Sequence, residues 1–338
     1  AAMAAPPASK AAREAGRRVA HWSSLTPALA AGDPDAALIK LRVIPTVEPV
    51  PREEWSADGA ASRPRPPGTV RLVCVSDTHG LHGRLPPLPD GDVLVHAGDF
   101  SNVGGRKDVR GLVEWLQKQP HKHKVVIAGN HDITFDKAYY EDRGALRFHG
   151  GKRADCDAIR ALLADADGVT YLEDSGATVA GLRFWGSPWQ PEFCDWAYNL
   201  ARGEECREKW DMIPDDTDVL VTHGPPLGHG DQCSGSNHAG CVDLLHAVQT
   251  RVRPLAHVFG HIHEAYGVTS DGATTFANAS SCTLQYRPSN GAVVLDVPLP
   301  PGGDGGDGGG DGGAGGAGDA GGEAICGEGG AAGGAGAS

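Results

Sequence analysis

The stretch Val70–His79, which reads VRLVCVSDTH, decides how the rest of the sequence is interpreted. Its apolar part, Val70–Val75, is a short run bounded by turn residues, as expected for a buried strand. Asp77 and His79 follow it at once, and side chains two positions apart in extended backbone lie on the same face. The stretch therefore predicts a buried strand that delivers two polar side chains to one place.

The same pattern of an apolar strand followed by polar residues recurs along the chain. Further strands are predicted over 92–97, 124–128, 218–222, 256–259 and 274–277, with a hairpin over 172–185 and a last strand near 293–297. Helical periodicity separates several of them, as in Val109, Leu112, Val113 and Leu116, which fall at i, i+3, i+4 and i+7. Strands that alternate with helices predict an α/β domain.

The polar residues at the strand ends are of the kinds that bind metal. Each of five predicted strands is followed by one such motif: Asp77-Thr78-His79, Gly98-Asp99, Gly129-Asn130-His131-Asp132, Thr222-His223-Gly224 and Gly260-His261-Ile262-His263. The strand ends of an α/β sheet converge on one edge, where ligands bind. Carboxylate, imidazole and amide ligands without thiolate suit Mn²⁺, Fe²⁺, Zn²⁺ or Mg²⁺. These ligands are too many for one ion, and they fit two ions about 3.5–4 Å apart that share a carboxylate and clamp a phosphoryl group.

Together the five motifs resemble the signature of the calcineurin-like metallophosphoesterases. Residues 67–299 also resemble a subgroup of that family, the metallophosphoesterase-domain-containing proteins 1 and 2, which are related to class III cyclic nucleotide phosphodiesterases. The resemblance implies a four-layer αββα sandwich, which the strand and helix pattern alone does not distinguish from a doubly wound sheet. It also implies two divalent metal ions, expected to be Mn²⁺, with Fe, Zn and Mg as alternatives.

The resemblance implies a role for each residue of the motifs. One metal would take Asp77, His79, Asp99 and His263. The other would take Asp99, Asn130, His223 and His261, so that Asp99 bridges the two. A hydroxide shared by the metals would attack phosphorus in line. Asn130 and His131 would contact the substrate, and His131 would protonate the leaving oxygen or assist it electrostatically. Asp132 is expected to orient a neighbouring histidine from behind the ligands.

The implied function is the hydrolysis of small phosphodiesters, with cyclic nucleotides as the expected substrates. A nucleotide-binding or scaffold protein with low residual turnover is the alternative class, and the complete ligand set favours the enzyme. A protein phosphatase, which needs a wide and open groove, is a further alternative. Trp185, Trp189 and Trp196 lie close together in the sequence. They either pack in the core or form a face on which a nucleobase stacks.

The segment 228–240 departs from the subgroup that the chain otherwise resembles. It carries His229, Cys233 and His238, with Cys241 just after it. A zinc-binding loop is one interpretation, but the spacing matches no usual zinc finger. We favour a flexible loop beside the active site that affects the choice of substrate.

Composition excludes several classes of partner. The chain has 338 residues with a formal net charge of −13, and 40% of its residues are hydrophobic. An acidic balance argues against binding to nucleic-acid polymers or anionic membranes, which require clustered Lys and Arg. No stretch approaches the length of apolar sequence that crosses a membrane. A small phosphodiester or nucleotide is therefore the expected partner, and the sequence leaves the oligomeric state open.

Both ends of the chain differ in composition from the domain predicted over 67–299. Residues 1–66 are rich in Ala and Pro, residues 300–338 are rich in Gly, Asp and Ala, and both are predicted to be largely disordered. The first thirty residues are biased towards basic side chains, which fits a mitochondrial transit peptide, but we favour a plain extension. The eight cysteines form no CxxC pair, which favours reduced thiols and a cytoplasmic location.

Overall fold

Two β-sheets stacked face to face form the centre of the protein in a computed structural model that describes residues 32–41, 47–235 and 237–300. The strands of these ranges are β1 (Glu48–Pro49), β2 (Thr69–Val75), β3 (Val93–Ala97), β4 (His123–Ile127), β5 (Val169–Tyr171), β6 (Ser175–Val179), β7 (Leu182–Ser187), β8 (Gln190–Pro191), β9 (Asn199–Leu200), β10 (Val219–Thr222), β11 (Ala256–Phe259), β12 (Gly267–Ser270), β13 (Thr275–Asn278) and β14 (Val293–Pro298). The strands predicted from apolar runs agree with these bounds to within one or two residues.

The helices of the described ranges lie mostly between the strands. They are α1 (Pro34–Leu41), α2 (Ala57–Ser62), α3 (Arg106–Gln117), α4 (Lys137–Tyr139), α5 (Ala145–His149), α6 (Cys156–Ala164), α7 (Glu204–Asp211) and α8 (Val242–Ala247). A π-helical turn, Tyr140–Gly144, joins α4 to α5, and a second one, Val248–Val252, extends α8. The predicted apolar face of α3 is confirmed, since Val109, Leu112 and Leu116 are buried.

Parallel pairing brings the carboxyl ends of the central strands to a common edge. The first sheet has the order β14-β2-β3-β4-β5, in which β2 to β5 are parallel. The second sheet has the order β1-β12-β13-β11-β10-β7-β6, in which β7, β10, β11 and β13 are parallel. Every motif predicted to bind metal follows one of these parallel strands. The topology therefore explains why residues distant in the sequence meet in one place.

Three apolar clusters define four layers. Between the sheets, side chains such as Leu72 and Val125 from the first sheet pack with Phe184 and Val258 from the second. Helices α3 and α6 cover the outer face of the first sheet, and α7 and α8 cover the outer face of the second. The order is helix, sheet, sheet, helix, which confirms the αββα sandwich and excludes the doubly wound sheet.

Part of the N-terminal segment is more ordered than the sequence predicted. Ala37, Leu38 and Leu41 of α1 are buried in a small cluster with Leu227 and Leu245, far along the chain. Trp55 is buried in the core between the sheets, and its indole N–H donates a hydrogen bond to Val50 O at 2.9 Å. Segments 34–41 and 47–62 thus gain order from burial against distant residues, which a local compositional argument misses. The disorder predicted for 1–31, 42–46 and 301–338 falls outside the described residues.

Neither membrane spans nor disulfides occur in the described ranges. No helix there combines the length and the apolar character that crossing a bilayer requires. The seven cysteines of these ranges are all free thiols.

Candidate metal centre

Left-handed backbone marks the strand ends that carry the predicted ligands. Asp77, His79, Asp99 and His261 have φ values of 50°, 44°, 52° and 68°. Such angles are uncommon for residues other than glycine and persist where the surroundings over-determine them. Here the turns after β2 and β3 are tied together, because Asp77 N donates to Gly98 O at 3.0 Å and His79 N donates to Asp99 O at 2.9 Å. The backbone therefore holds these side chains at one edge of the sandwich.

The glycines of the motifs leave room for the ligand side chains. A Cβ at Gly260 would lie 2.0 Å from Asp77 Oδ2, and a Cβ at Gly129 would lie 2.4 Å from Asp99 Oδ1. At Gly98 a Cβ would lie 2.6 Å from His223 Nδ1. These distances are far below van der Waals contact, so any larger residue would displace a candidate ligand.

Asp99 lies between the two halves of the site. Its Oδ2 is 3.4 Å from His223 Nε2, contributed by the second sheet, and 3.9 Å from His79 Nε2, contributed by the first. Its Oδ1 accepts a hydrogen bond from His131 N at 2.8 Å. Asn130 Oδ1 lies 2.9 Å from His223 Nε2, so an amide oxygen faces the same space. One carboxylate thus faces ligands from both sheets.

Asp77 forms the other half of the cluster. Its Oδ1 is 3.4 Å from His263 Nε2, and His263 Nε2 lies 3.2 Å from His79 Nε2. Its Oδ2 accepts a hydrogen bond from Ser280 Oγ at 2.9 Å, and His261 N donates to the same oxygen at 3.0 Å. The carboxylate is therefore fixed from behind while one oxygen faces the histidines.

Hydrogen bonds on the far side of three imidazoles determine which nitrogen faces the site. Nδ1 of His223 lies 2.9 Å from Ala97 O, Nδ1 of His263 lies 3.1 Å from Thr283 O, and Nδ1 of His131 lies 2.9 Å from Asn102 O. A carbonyl oxygen only accepts, so each Nδ1 carries a proton and donates it. When such a ring is neutral, its Nε2 carries no proton and is free to accept a hydrogen bond or to bind a metal. Acceptors that converge in this way fit a divalent cation, and a proton held at Nε2 would leave when the cation binds.

The electrostatics of the cluster also favour positive charge. Burial lowers the pKa of His223, but the negative charges of Asp99 and Asp77 outweigh burial and raise the pKa to about 9. Burial lowers the pKa of His263 as well, and its contact with Asp77 raises it to about 9. Burial lowers the pKa of His79 to about 4 and that of His261 to about 3, so these two rings are neutral at pH 7. The two aspartates therefore attract cations, and neutral imidazoles stand ready as ligands.

The described residues contain three sets of side chains whose ligand atoms lie within 4.8 Å of one another. The sets are Asp77, His79 and His263; His79, Asp99 and His131; and Asp77, Asp99 and His223. The first set contains three of the four ligands expected for one metal. The second shows that His131, expected to act on the substrate, also lies within reach of a shared ion. His261 belongs to none of the three sets, and its ring lies 5.1 Å from that of His223.

Asp132 acts on the backbone rather than on a histidine. Its carboxylate accepts hydrogen bonds from Gly129 N at 2.9 Å, from Ser101 N at 2.9 Å and from Ser101 Oγ at 2.6 Å, with a longer one from Phe100 N. These partners belong to the loops that carry Asp99 and Asn130. The expected position behind the ligands is therefore found, but the expected imidazole partner is replaced by two loop backbones. Four convergent donors satisfy the carboxylate where it lies.

The described residues of the loop 228–240 bring no zinc ligands together. His229 stacks on Phe276, while His238 Nδ1 pairs with Asp231 Oδ1 at 2.7 Å. The indole of Trp210 donates to Cys241 Sγ, and Cys233 Sγ lies near Asp231 O. Within the described residues these four side chains form no group of metal ligands, so the zinc interpretation is not supported.

Only one of the three tryptophans reaches the site. The indole of Trp196 stacks on the His131 imidazole, with ring centroids 3.9 Å apart and an interplanar angle of 24°. Trp185 is buried among the helices of the second sheet, as the core interpretation expects. Trp189 donates its indole N–H to Asp174. Residue spacing alone could not separate these three environments.

Two supporting residues, Ser280 and His257, carried no functional signal in the sequence. Besides Ser280, the pair of His257 and Thr222 holds the turn that presents His223. Thr222 Oγ1 lies 2.8 Å from His257 Nε2 and donates to Gly224 O at 2.8 Å. Because the hydroxyl proton goes to Gly224, His257 Nε2 must donate to the hydroxyl. These two hydrogen bonds connect His257, Thr222 and Gly224, and they restrain the backbone on both sides of His223.

Comparisons with known proteins agree with this geometry. Residues 70–265 match the calcineurin-like phosphoesterase family. Metallophosphoesterase domain-containing protein 1 of Homo sapiens is 46% identical over 261 residues, which cover 75% of this chain and 76% of that protein. In Caenorhabditis elegans, UPF0046 protein C25E10.12 is 42% identical and covers 69% of this chain and 83% of its own length. UPF0046 protein T07D4.2 is 41% identical and covers 70% of this chain and 62% of its own length. The chain therefore belongs to the calcineurin-like phosphoesterases and is a metal-dependent phosphoester hydrolase.

Proposed function

We propose that the protein hydrolyses small phosphodiesters, with cyclic nucleotides as the expected substrates, and that it uses two divalent metal ions. The observation that carries the proposal is the position of Asp99. Its carboxylate is buried and faces His79 of the first sheet and His223 of the second. A single carboxylate shared by two ligand sets is the arrangement of dinuclear sites that act on phosphoryl groups.

The residues divide into two sets around Asp99. Asp77, His79 and His263 complete the first set, and Asn130, His223 and His261 complete the second. When bound, divalent ions supply Lewis acidity and a water that is ionised near neutral pH. The donor set of oxygen and imidazole nitrogen suits Mn²⁺, and it accommodates Fe²⁺, Zn²⁺ or Mg²⁺ as well. The buried acids would hold the ions, and the hydrogen bonds of Ser280 and Ala97 fix the orientation of Asp77 and His223.

His131 is the residue proposed to move a proton. Its Nδ1–H is engaged by Asn102 O, so Nε2 is the nitrogen that takes up and releases the second proton. The ring stacks on Trp196 and meets His79 edge-on with centroids 4.7 Å apart, which places it at the margin of the cluster. A proton held at Nε2 can pass to the leaving oxygen of the ester, and general acid catalysis of this kind is worth about 10²–10⁴-fold in rate.

Hydrolysis of bis(p-nitrophenyl) phosphate tests the proposal directly. The full chain is loaded with Mn²⁺ and assayed before and after EDTA, and then after Mn²⁺ is returned. p-Nitrophenyl phosphate serves as the monoester control, and 3′,5′-cyclic AMP and 2′,3′-cyclic AMP test the expected substrate class. We expect chelator-sensitive turnover of the diesters that returns with Mn²⁺.

Two results would contradict the proposal. Metal-loaded protein that binds nucleotides without turning over any diester would make it the binding or scaffold protein considered above. Turnover of the monoester with none of the diester would overturn the assignment as a phosphodiesterase while leaving a phosphoesterase.

A further inference from the structure

Two buried cysteines in the helical layer on the second sheet, Cys206 and Cys241, lie in contact with each other. Cys206 belongs to α7, and Cys241 is the residue directly before α8. Their side chains are 0% and 1% exposed, within the apolar cluster that covers the second sheet. Each thiol is within hydrogen-bonding reach of the other sulfur. The proposed hydrolysis does not use this pair.

The backbone around the pair is anchored. Arg202, which lies just ahead of α7, donates from Nη1 to Gly240 O and from Nη2 to Ala239 O, each at 2.7 Å. These hydrogen bonds fix the start of α7 to the residues directly before Cys241, and α7 packs on α8. Cysteines whose side chains point apart cannot be bridged unless the backbone moves, whereas here the fold already keeps the two thiols in contact.

A third side chain makes the two sulfurs chemically different. The indole N–H of Trp210, four positions after Cys206 on the same face of α7, donates to Cys241 Sγ at 3.3 Å. Burial raises the pKa of the Cys241 thiol, but hydrogen bonds from Cys206, from Leu244 N–H and from the indole lower that pKa below its ordinary value. The contact with Cys241 raises the pKa of Cys206, and burial adds to the increase. Cys241 is therefore the member suited to be a thiolate, and Cys206 is the member that keeps its proton.

We propose that Cys206 and Cys241 form a redox modification site, at which hydrogen peroxide joins them in a reversible disulfide. The Cys241 thiolate attacks one peroxide oxygen, the O–O bond breaks, hydroxide leaves and Cys241 becomes a sulfenic acid. The Cys206 sulfur then attacks the Cys241 sulfur, the S–O bond breaks and the S–S bond forms, while the Cys206 proton and the departing hydroxide form water. In sum the two thiols lose two protons and two electrons, and the peroxide is reduced to two molecules of water. Because both sulfurs are buried, the oxidant must be small, and hydrogen peroxide is close to water in size.

The bond would restrain the segment that follows the candidate ligand His223. Cys241 N donates to Pro225 O at 3.0 Å, and Leu227 N donates to Cys241 O at 3.0 Å. A disulfide at Cys241 would join this pair of strands to α7 through a covalent bond. The site itself lies outside the metal centre, so the inference does not depend on hydrolysis of phosphodiesters.

Peptide mapping of the full chain after exposure to peroxide tests the inference. The protein is reduced, freed of reductant, treated with hydrogen peroxide, alkylated with N-ethylmaleimide in urea and digested. We expect mass spectrometry to find a linked peptide that joins Cys206 to Cys241 and that disappears when dithiothreitol is added in urea. Cys74 is the internal control, because it is likewise 0% exposed but burial alone raises its pKa. It should be recovered in the alkylated form.

Single variants then test which sulfur reacts first. In Cys206→Ser the sulfenic acid on Cys241 has no second thiol to attack it, so dimedone should trap it there. In Cys241→Ser the remaining Cys206 lacks the partner that reacts with peroxide, so dimedone should label it far less. Cys74→Ser is the matched control and should form the linked peptide as wild type does. Circular dichroism of each variant confirms that the fold is kept, and the wild-type map needs no variant at all.

Three outcomes would overturn the inference. The first is recovery of both Cys206 and Cys241 as alkylated thiols after peroxide. The second is their oxidation to sulfinic acid without a linked peptide. The third is a main product that joins other cysteines, such as the exposed Cys194 and the half-buried Cys233. Dimedone labelling of Cys206 rather than Cys241 in the single variants would refute the assigned order of attack.

Discussion

Aspartate side chains with little exposure to solvent occur at both ends of β2, and their charges are balanced in different ways. At the amino end, Asp296 accepts from Arg71 Nε at 2.7 Å and from Arg71 Nη2 at 2.9 Å, and Arg63 adds a contact at 3.3 Å. At the carboxyl end, the basic groups that contact Asp77 and Asp99 are the imidazoles of His263, His79 and His223. A guanidinium is always charged, whereas an imidazole at neutral pH carries charge only when its surroundings raise its pKa.

This difference separates a structural ion pair from a binding site. Burial raises the pKa of Asp296, and the hydrogen bond from Arg71 outweighs it, so that the pKa lies below its ordinary value. Burial raises the pKa of Asp99 too, and the neighbouring histidines hold it well below its ordinary value. At the first end the partner is part of the chain and permanent. At the second, protons or metal ions compete for the same lone pairs, so this end is suited to bind cations.

Removal of the shared carboxylate should have the largest effect. Asp99→Ala removes the group that faces both ligand sets, so both metals and the hydrolytic activity should be lost together. Elemental analysis and turnover of bis(p-nitrophenyl) phosphate check this. Asp296→Asn, a change at the other end of β2, should keep both metals. Retention of two metal equivalents by Asp99→Ala would refute the bridging role.

His131→Ala should keep both metals and lose activity according to the leaving group. If Nε2 donates a proton, an alkoxide leaving group needs it, and turnover of cyclic nucleotides should fall by about 10²–10⁴-fold. p-Nitrophenolate leaves readily without protonation, so the loss on its esters should be modest. Equal losses on both substrates would show that the ring stabilises charge on the phosphoryl group instead. Loss of a metal would make His131 a ligand.

Gly260→Ala should weaken metal binding without removing a ligand. The new Cβ would lie 2.0 Å from Asp77 Oδ2 and 2.2 Å from Ser76 Oγ, so the carboxylate must shift. Changes to groups that orient ligands typically cost about 10–100-fold in metal affinity or activity. Gly83→Ala is the control, because its Cβ would meet nothing within 4 Å. A Mn²⁺ titration that gives the same affinity for both variants would show that the site tolerates the shift.

Asp296→Asn should change stability and leave turnover almost untouched. Replacing the carboxylate by a neutral amide removes the charge that pairs with the Arg71 guanidinium, which should cost about 1–3 kcal/mol of unfolding free energy near pH 7. Because the pKa of Asp296 is lowered by folding, its contribution is complete above the unfolded value of about 4 and is lost as pH falls through the folded value. The difference from wild type in urea unfolding should therefore shrink below about pH 4. A difference that persists there would point to packing rather than charge.

Local patterns in the sequence predicted the parallel strands well, and the ligand candidates remain predictions whose side chains lie at one edge of the sheets. Val70–Val75 corresponds to most of β2, and Ala256–Phe259 is β11 itself. Both are short apolar runs in which burial and strand propensity agree, so no distant information is needed. α1 and Trp55 were missed because their order comes from contacts with distant parts of the chain. Asp132 was placed correctly but given the wrong partner, since its contacts with Ser101 and Gly129 require the fold of two loops.

The sequence by itself determined which candidate ligand groups this protein carries and which strands they follow. Residue type and spacing are local properties, and a glycine beside an aspartate or histidine is visible without a structure. Only the tertiary structure decided that Asp99 faces both sheets, that Ala97, Thr283 and Asn102 select the nitrogen each histidine presents, and that Phe193 and Tyr286 border the cluster. These contacts join atoms that are far apart in the chain, and they exist because the two sheets stack on each other. The order of residues in the sequence therefore does not reveal them.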